Sequence, residues 1–150
     1  MSHARYMREA LQEAKLAAEK GEVPIGAVVV AEGDIVGRGH DLRESLCDAS
    51  AHAEILAMRE AAKVLGDWRL NHATLYVTIE PCAMCAGAIV QFRVRRLVYG
   101  APNAKSGSID TILDIVHQPK FNHRVEVISG IMEDECKEIL QKFFRELRNK

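Results

Sequence analysis

Two cysteines three residues apart stand in Glu80-Pro81-Cys82-Ala83-Met84-Cys85, directly after the apolar run Leu75-Tyr76-Val77-Thr78-Ile79. The run predicts a buried strand, and Pro81, at or near the first helical position, predicts that the strand hands over to a helix. Residues three apart share a helix face, so both sulfurs can point at one object. The positive end of the helix dipole favours thiolate over thiol there. Two thiolates on one face make either a redox pair or half of a metal site, and the motif alone leaves both open.

The balance moves with His52-Ala53-Glu54, which opens an earlier predicted helix. In a first turn, side chains lean back past the helix N-terminus, so both groups can approach a site beyond the helix end. A histidine and a glutamate at one helix start, with two cysteines at another, make a zinc centre the expected chemistry. His52, Cys82 and Cys85 supply three ligands, and three protein ligands leave the fourth tetrahedral position for water, the mark of a catalytic site. Zinc lowers the pKa of such a water toward ~7. Glu54 need not be a ligand and is placed for general acid/base work. Attack of the activated water on an amidine-like carbon, with loss of ammonia, uses all four groups.

The elements that must position these residues follow from periodicity. Residues from about Ala4 to Lys20 carry Met7, Ala10, Leu11, Ala14, Ala17 and Ala18 at helical spacing, with Gly21 as a stop. Val23 to Val30 is an almost continuous apolar run that predicts a buried strand. Glu32-Gly33-Asp34 turns the chain, and Ile35 to His40 predicts the returning strand of a hairpin. Gly26, Gly37 and Gly39 fit either close backbone packing or room for a ligand beside the sheet. Asp41 to Ser50 has loop composition, and Asp48 and Ser50 are both plausible N-caps for the helix carrying Ile55, Met58, Ala61, Ala62 and Leu65. The Cys82 helix runs to about Phe92, and Leu97-Val98-Tyr99 completes a βαβ unit. A short helical patch is expected around Thr111–Val116, a last strand at Arg124–Ile128 and an amphipathic helix from Met132 to Arg148. Cys136 sits at helical spacing with Ile139, Leu140 and Phe143 and reads as a buried apolar residue. The expected architecture is one α/β domain over 1–150, a hairpin followed by parallel strands with helices on both faces.

Composition sets the outer limits. The chain is 48% hydrophobic and 27% charged, with formal net charge -1, so nothing drives it globally toward nucleic acid or an anionic membrane. A polyanion partner has to meet a local basic patch, for which Lys105, Arg124, Arg145 and Arg148 are the candidates. No apolar run approaches the ~20 residues of a membrane span. Met1-Ser2-His3-Ala4-Arg5 lacks the layout of a secretory signal, so a cytoplasmic protein is expected.

His52-Ala53-Glu54 with Pro81-Cys82-Ala83-Met84-Cys85 resembles the motif of the zinc nucleobase deaminases. The chain is similar nearly end to end to the bacterial tRNA adenosine deaminases within that group. The more specific segments are Gly21 to Val28, Trp68-Arg69-Leu70, Ala73 to Thr78, Cys85 to Ile89, Phe121 to Val125, and Glu135-Cys136 through Phe143-Phe144-Arg145. The resemblance implies a cytidine-deaminase-like three-layer α/β/α fold with a five-stranded mixed sheet, one zinc per chain and a homodimer. It also implies hydrolytic conversion of the wobble adenosine of a tRNA anticodon loop to inosine, on a flipped-out base in a single-stranded presentation.

Two departures fall where that family touches substrate. Asp41 stands where Asn is usual, and an ionised Asp only accepts hydrogen bonds whereas an amide also donates. Asn103, before Ala104-Lys105, stands where Asp is usual, and loss of a negative charge beside a nucleic-acid backbone favours binding. Ala49-Ser50 replaces a common Pro-Thr, and Ile109-Asp110 occupies a loop that is usually built of smaller residues. Asp41, Asn103, Lys105 and Phe144 are therefore the candidate substrate contacts, with Phe143 turned inward and Phe144 free to stack on a base. Other readings are a deaminase retargeted to cytidine or to single-stranded DNA, a free nucleobase deaminase, a structural zinc module with Cys47 as fourth ligand, and a thiol–disulfide oxidoreductase using Cys82 and Cys85.

Overall fold

The chain opens with α1 (His3–Glu19), capped by Ser2, whose hydroxyl accepts the Arg5 amide at 3.3 Å. A computed structural model describes residues 2–149. α1 buries Tyr6, Met7, Ala10, Leu11, Ala14 and Ala17 and ends before Gly21, whose φ of +75° suits glycine. β1 (Gly26–Ala31) and β2 (Asp34–His40) form the hairpin, turning at Glu32 and Gly33. A short α2 (Arg43–Leu46) and then α3 (Ala53–Leu65) follow. The βαβ unit is β3 (Ala73–Ile79), α4 (Ala83–Gln91) and β4 (Arg96–Ala101). β5 (Glu126–Ile128) and α5 (Glu133–Arg148) complete the described chain.

The sheet has the order β2-β1-β3-β4-β5. β1 pairs antiparallel with β2 and β3, whereas β3, β4 and β5 run parallel, so the sheet is five-stranded and mixed as expected. Side chains alternate between its faces. Ala27, Val29, Leu75, Val77, Leu97 and Tyr99 pack with Ala57, Met58, Ala61, Ala86 and Ile89 of α3 and α4. Val28, Val30, Tyr76 and Val98 pack with α1 and with Cys136, Ile139 and Leu140 of α5. Strands buried on both faces explain the unbroken apolar runs of β1 and β3. Cys136 is fully buried in the second layer, as its spacing predicts.

Several boundaries differ from the sequence expectation, each for a local reason. β1 starts at Gly26 rather than Val23, because Pro24 has no amide to donate and the Ile25 amide turns back to the Val23 carbonyl at 2.8 Å. The N-cap of α3 is His52, not Asp48 or Ser50. Asp48 instead accepts the Ser50 amide and hydroxyl at 2.8 and 2.7 Å and closes a turn ahead of the helix. Cys82 is the N-cap of α4, so Pro81 stands just before the helix. The expected helical patch at Thr111–Val116 is a set of turns, since the Asp110 and Thr111 amides donate to Glu80 and not along a helix. Among the described residues no helix is long and apolar enough to cross a membrane.

Candidate metal centre and its rim

β3 ends at Ile79 and delivers Cys82 and Cys85 to the start of α4, while the chain entering α3 delivers His52 and Glu54. His52 and Cys82 occupy equivalent N-cap positions, and neither makes a side-chain cap bond. Both side chains are thereby left to point past the helix ends. His52 Nδ1 lies 3.7 Å from Cys82 Sγ and 3.4 Å from Cys85 Sγ. The three ligand atoms lie within 4.8 Å of one another, a spacing that can hold one metal ion. Bond lengths of ~2.3 Å to sulfur and ~2.0–2.1 Å to nitrogen at tetrahedral angles put N and S about 3.5–3.6 Å apart, so the cluster fits a tetrahedral zinc-type site. A donor set of two sulfurs and one imidazole points the same way.

The electrostatics agree with that geometry. Hydrogen bonds from Cys85 and His52 hold the Cys82 thiol down at about 3, a thiolate at neutral pH. The bond to Cys82 raises His52, while the Cys82 bond and burial push Cys85 up. Glu54 is 4% exposed, and burial is the main cause that raises its carboxyl to about 7, against the opposing pull of His52. A buried carboxyl poised near neutrality beside the cluster suits both uptake and release of a proton. Cys47, the other candidate ligand, is exposed at the C-cap of α2, where its thiol bonds to the Glu44 carbonyl. Cys82 and Cys85 are not joined in a disulfide.

The remaining candidates are brought to the rim with altered roles. Asp41 is buried, and Arg43 occupies its carboxylate: the Arg43 amide donates to Oδ1 at 3.0 Å, Nε reaches both oxygens at 3.1 Å and Nη2 reaches Oδ2 at 3.0 Å. Asp41 thus offers no bare acceptors, and the half-exposed Arg43 guanidinium is the outward group. Sequence reading missed Arg43. The Leu42 amide bonds to the Ala51 carbonyl at 3.0 Å, which places this pair beside His52. Asn103 turns into its own loop, with Oδ1 accepting the Lys105 and Ser106 amides at 3.2 Å and Nδ2 donating to Ser106 Oγ at 3.0 Å. Lys105 is exposed on that loop. Ile109 is fully buried in the α3–α4 layer, and Asp110 accepts the Tyr99 hydroxyl at 2.6 Å, which accounts for the larger residues there.

Phe143 is half-buried and Phe144 is 38% exposed, as the spacing predicts, with the rings edge to face at 5.5 Å. The end of α5 lies against the end of α1, where Phe143 and Leu147 share a groove with Ala18 and Gly21. From Gly21 the chain leads to Gly26, whose amide donates to Thr78 Oγ1 at 3.2 Å near the carboxyl end of β3. The last turns of α5 therefore reach the end of the sheet that holds the cluster. Arg124, Arg145 and Arg148 are exposed.

A mixed sheet between helical layers that joins a two-cysteine helix start to a histidine–glutamate helix start defines a deaminase type of fold with a site that could hold a metal ion. The family model for MafB19-like deaminase matches residues 1–148, and the chain belongs to that family. Among its relatives, a tRNA-specific adenosine deaminase of Bacillus subtilis is 55% identical over 145 residues, covering 97% of this chain and 90% of that protein. A solved structure from work on A-to-I editing by tRNA:A34 deaminases at the wobble position of transfer RNA superposes with a TM-score of 0.87. It is 46% identical and covers 91% of this chain and 99% of that one. The guanine deaminase of Nitrosomonas europaea shares the fold with a TM-score of 0.80 at 23% identity, covering 93% of this chain and 83% of that one.

Proposed function

We propose that this protein deaminates adenosine to inosine at the wobble position of tRNA, using a zinc ion held by His52, Cys82 and Cys85 and a proton carried by Glu54. The observation that carries the reading is the His52/Cys82/Cys85 cluster with buried Glu54 beside it, in a chain 55% identical to a tRNA-specific adenosine deaminase. When bound, zinc supplies a Lewis acid that makes water nucleophilic near neutral pH. Glu54 would take one proton from the attacking water and give it to the purine ring nitrogen, then pass the proton left on the newly bonded oxygen to the departing amine, so that the C–N bond breaks and ammonia leaves. Burial near pKa 7 suits it to carry the proton in both directions.

The substrate base enters from a single-stranded anticodon loop, where it is already unpaired and can be flipped at small cost. The Asp41–Arg43 pair, Asn103 and Lys105 form the rim, and Phe144 stacks on a neighbouring base. The protein works as one domain in the cytoplasm, as a homodimer. A groove lined by Gly87, Val90, Gln91, Ile115 and the exposed Phe121 supplies a face for the second copy.

Asp41 and Asn103 keep a retargeted deaminase as the second reading, and one assay separates the two. Matched RNA and DNA hairpins carry A or C at the target position, and inosine in RNA alone is the expected product. Deamination of C, or efficient turnover of DNA, would overturn the tRNA reading. The same assay on Glu54→Ala should show turnover reduced by about 10²–10⁴-fold with zinc retained. A fully active Glu54→Ala protein would sink the mechanism.

A further inference from the structure

One buried acid beside the cluster has no part in the chemistry above. Glu80 follows β3 and is 1% exposed. Its Oε1 accepts the Asn103 amide at 3.1 Å and the Thr111 hydroxyl. Its Oε2 accepts the amides of Ile109 at 3.1 Å, Asp110 at 2.8 Å and Thr111 at 3.1 Å. Three successive amides on one oxygen form an anion-binding concavity of the kind that elsewhere takes a phosphate. Here a carboxylate from a distant part of the chain fills it.

Gly107 closes the ring around that carboxylate. A Cβ at this position would stand 2.5 Å from Glu80 Oε1 and 2.6 Å from the Asn103 carbonyl, so a larger residue has to push the loop away. The Ser108 amide donates to the Pro81 carbonyl at 2.9 Å, which pins the same loop to the residue before Cys82. β3 and β4 are parallel, so this loop and the cluster lie at the carboxyl ends of adjacent strands, where open α/β sheets bind ligands.

We infer that Glu80 is a positioning residue for the nucleic-acid substrate, fixing the 103–111 loop against Pro81–Cys82 so that Asn103 and Lys105 stand at a set height beside the metal cluster. The inference rests on the RNA-deaminase reading above, and it assigns no contact between Glu80 and substrate. Without the clamp, strand binding has to order the loop first, which weakens binding. The proton-transfer chemistry at the cluster is left as it was.

Glu80→Gln is isosteric and puts an amide NH2 where an oxygen now meets donors. Gly107→Ala leaves the acid in place and wedges the loop off it. Both variants and the wild type, loaded with zinc, are compared by zinc content, amide exchange at residues 109–111, hairpin binding and steady-state turnover of an A-containing RNA hairpin. The expected result is unchanged zinc, faster exchange at all three amides, and KM raised roughly tenfold with kcat within about threefold. Glu80→Asp, too short to reach both halves of the loop, should not rescue. Protected amides in both variants, loss of zinc, or a fall in kcat at constant KM would overturn the inference. A wild type that binds the hairpin and does not deaminate it would defeat the tRNA-deaminase reading, and hairpin affinity would still decide the role of Glu80.

Discussion

Asp41 shows how a single side chain changes meaning between sequence and structure. As a residue type it reads as a wall of bare acceptors facing a base, but Arg43 saturates both oxygens. Breaking this pair from the arginine side leaves a buried carboxylate with the residue-43 backbone amide on Oδ1 and without its charged partner. Arg43→Met should therefore destabilise the fold by about 1–3 kcal/mol. Adding Asp41→Asn to that background should recover part of the loss, because the stranded charge is gone. Denaturant unfolding of the two singles and the double tests this, and strictly additive losses would show that the residues act independently. The His52/Cys82/Cys85 cluster was legible beforehand because Cys-x-x-Cys and His-x-Glu are rare residue types at short range, each tied to a helix start. Arg43 and Glu80 were not, because the polar partner a charged side chain takes, two residues away for Arg43 and more than twenty for Glu80, leaves no periodic trace in a sequence.

Secondary elements were legible wherever burial imposes a period. The apolar runs and amphipathic helices are where the patterning places them, to within a few residues at their ends. Elements held by a single polar anchor were not. α2 lies in a segment of loop composition, and it forms because the Glu22 carboxylate accepts the Glu44 amide at 3.2 Å and the Ser45 amide and hydroxyl at 2.6 Å. The glycines left open by sequence are resolved as close packing. Gly26 meets the backbone of α1 at Ala10 and Ala14, while Gly37 and Gly39 meet α3 at Ala57 and Ala53. The anchoring of α2 has a pH signature. Burial opposes ionisation of Glu22, but the Ser45 and Glu44 bonds and the Arg43 charge outweigh it and hold the carboxyl below its usual value. Its stabilising contribution is present above the unfolded-chain value of ~4.3 and is lost as pH falls through the folded value. Glu22→Gln should therefore lower Tm at pH 7, and the gap to the wild type should close below about pH 4. A gap that is constant across that range would contradict the assignment.

For the molecule as a whole, the faces of the sheet were legible and its polarity along the strands was not, because the layer pattern is the same at both ends. α1 begins by the hairpin turn, where the Tyr6 hydroxyl donates to the Gly33 carbonyl at 2.9 Å. Its 17 residues then carry the chain about 25 Å along the sheet to the cluster end. α5 finishes at that same end. The two ends of the chain are therefore unequal as points of tethering. A folded passenger joined ahead of His3 departs from the end remote from the mouth and should leave KM for an RNA hairpin unchanged. The same passenger joined directly after α5 would share the approach with the RNA and should raise KM, and a long flexible spacer should restore it. Equal KM values for the two fusions would show that the RNA takes another path. If the prediction holds, the direction in which α1 crosses the sheet decides on which side this protein can be carried by another.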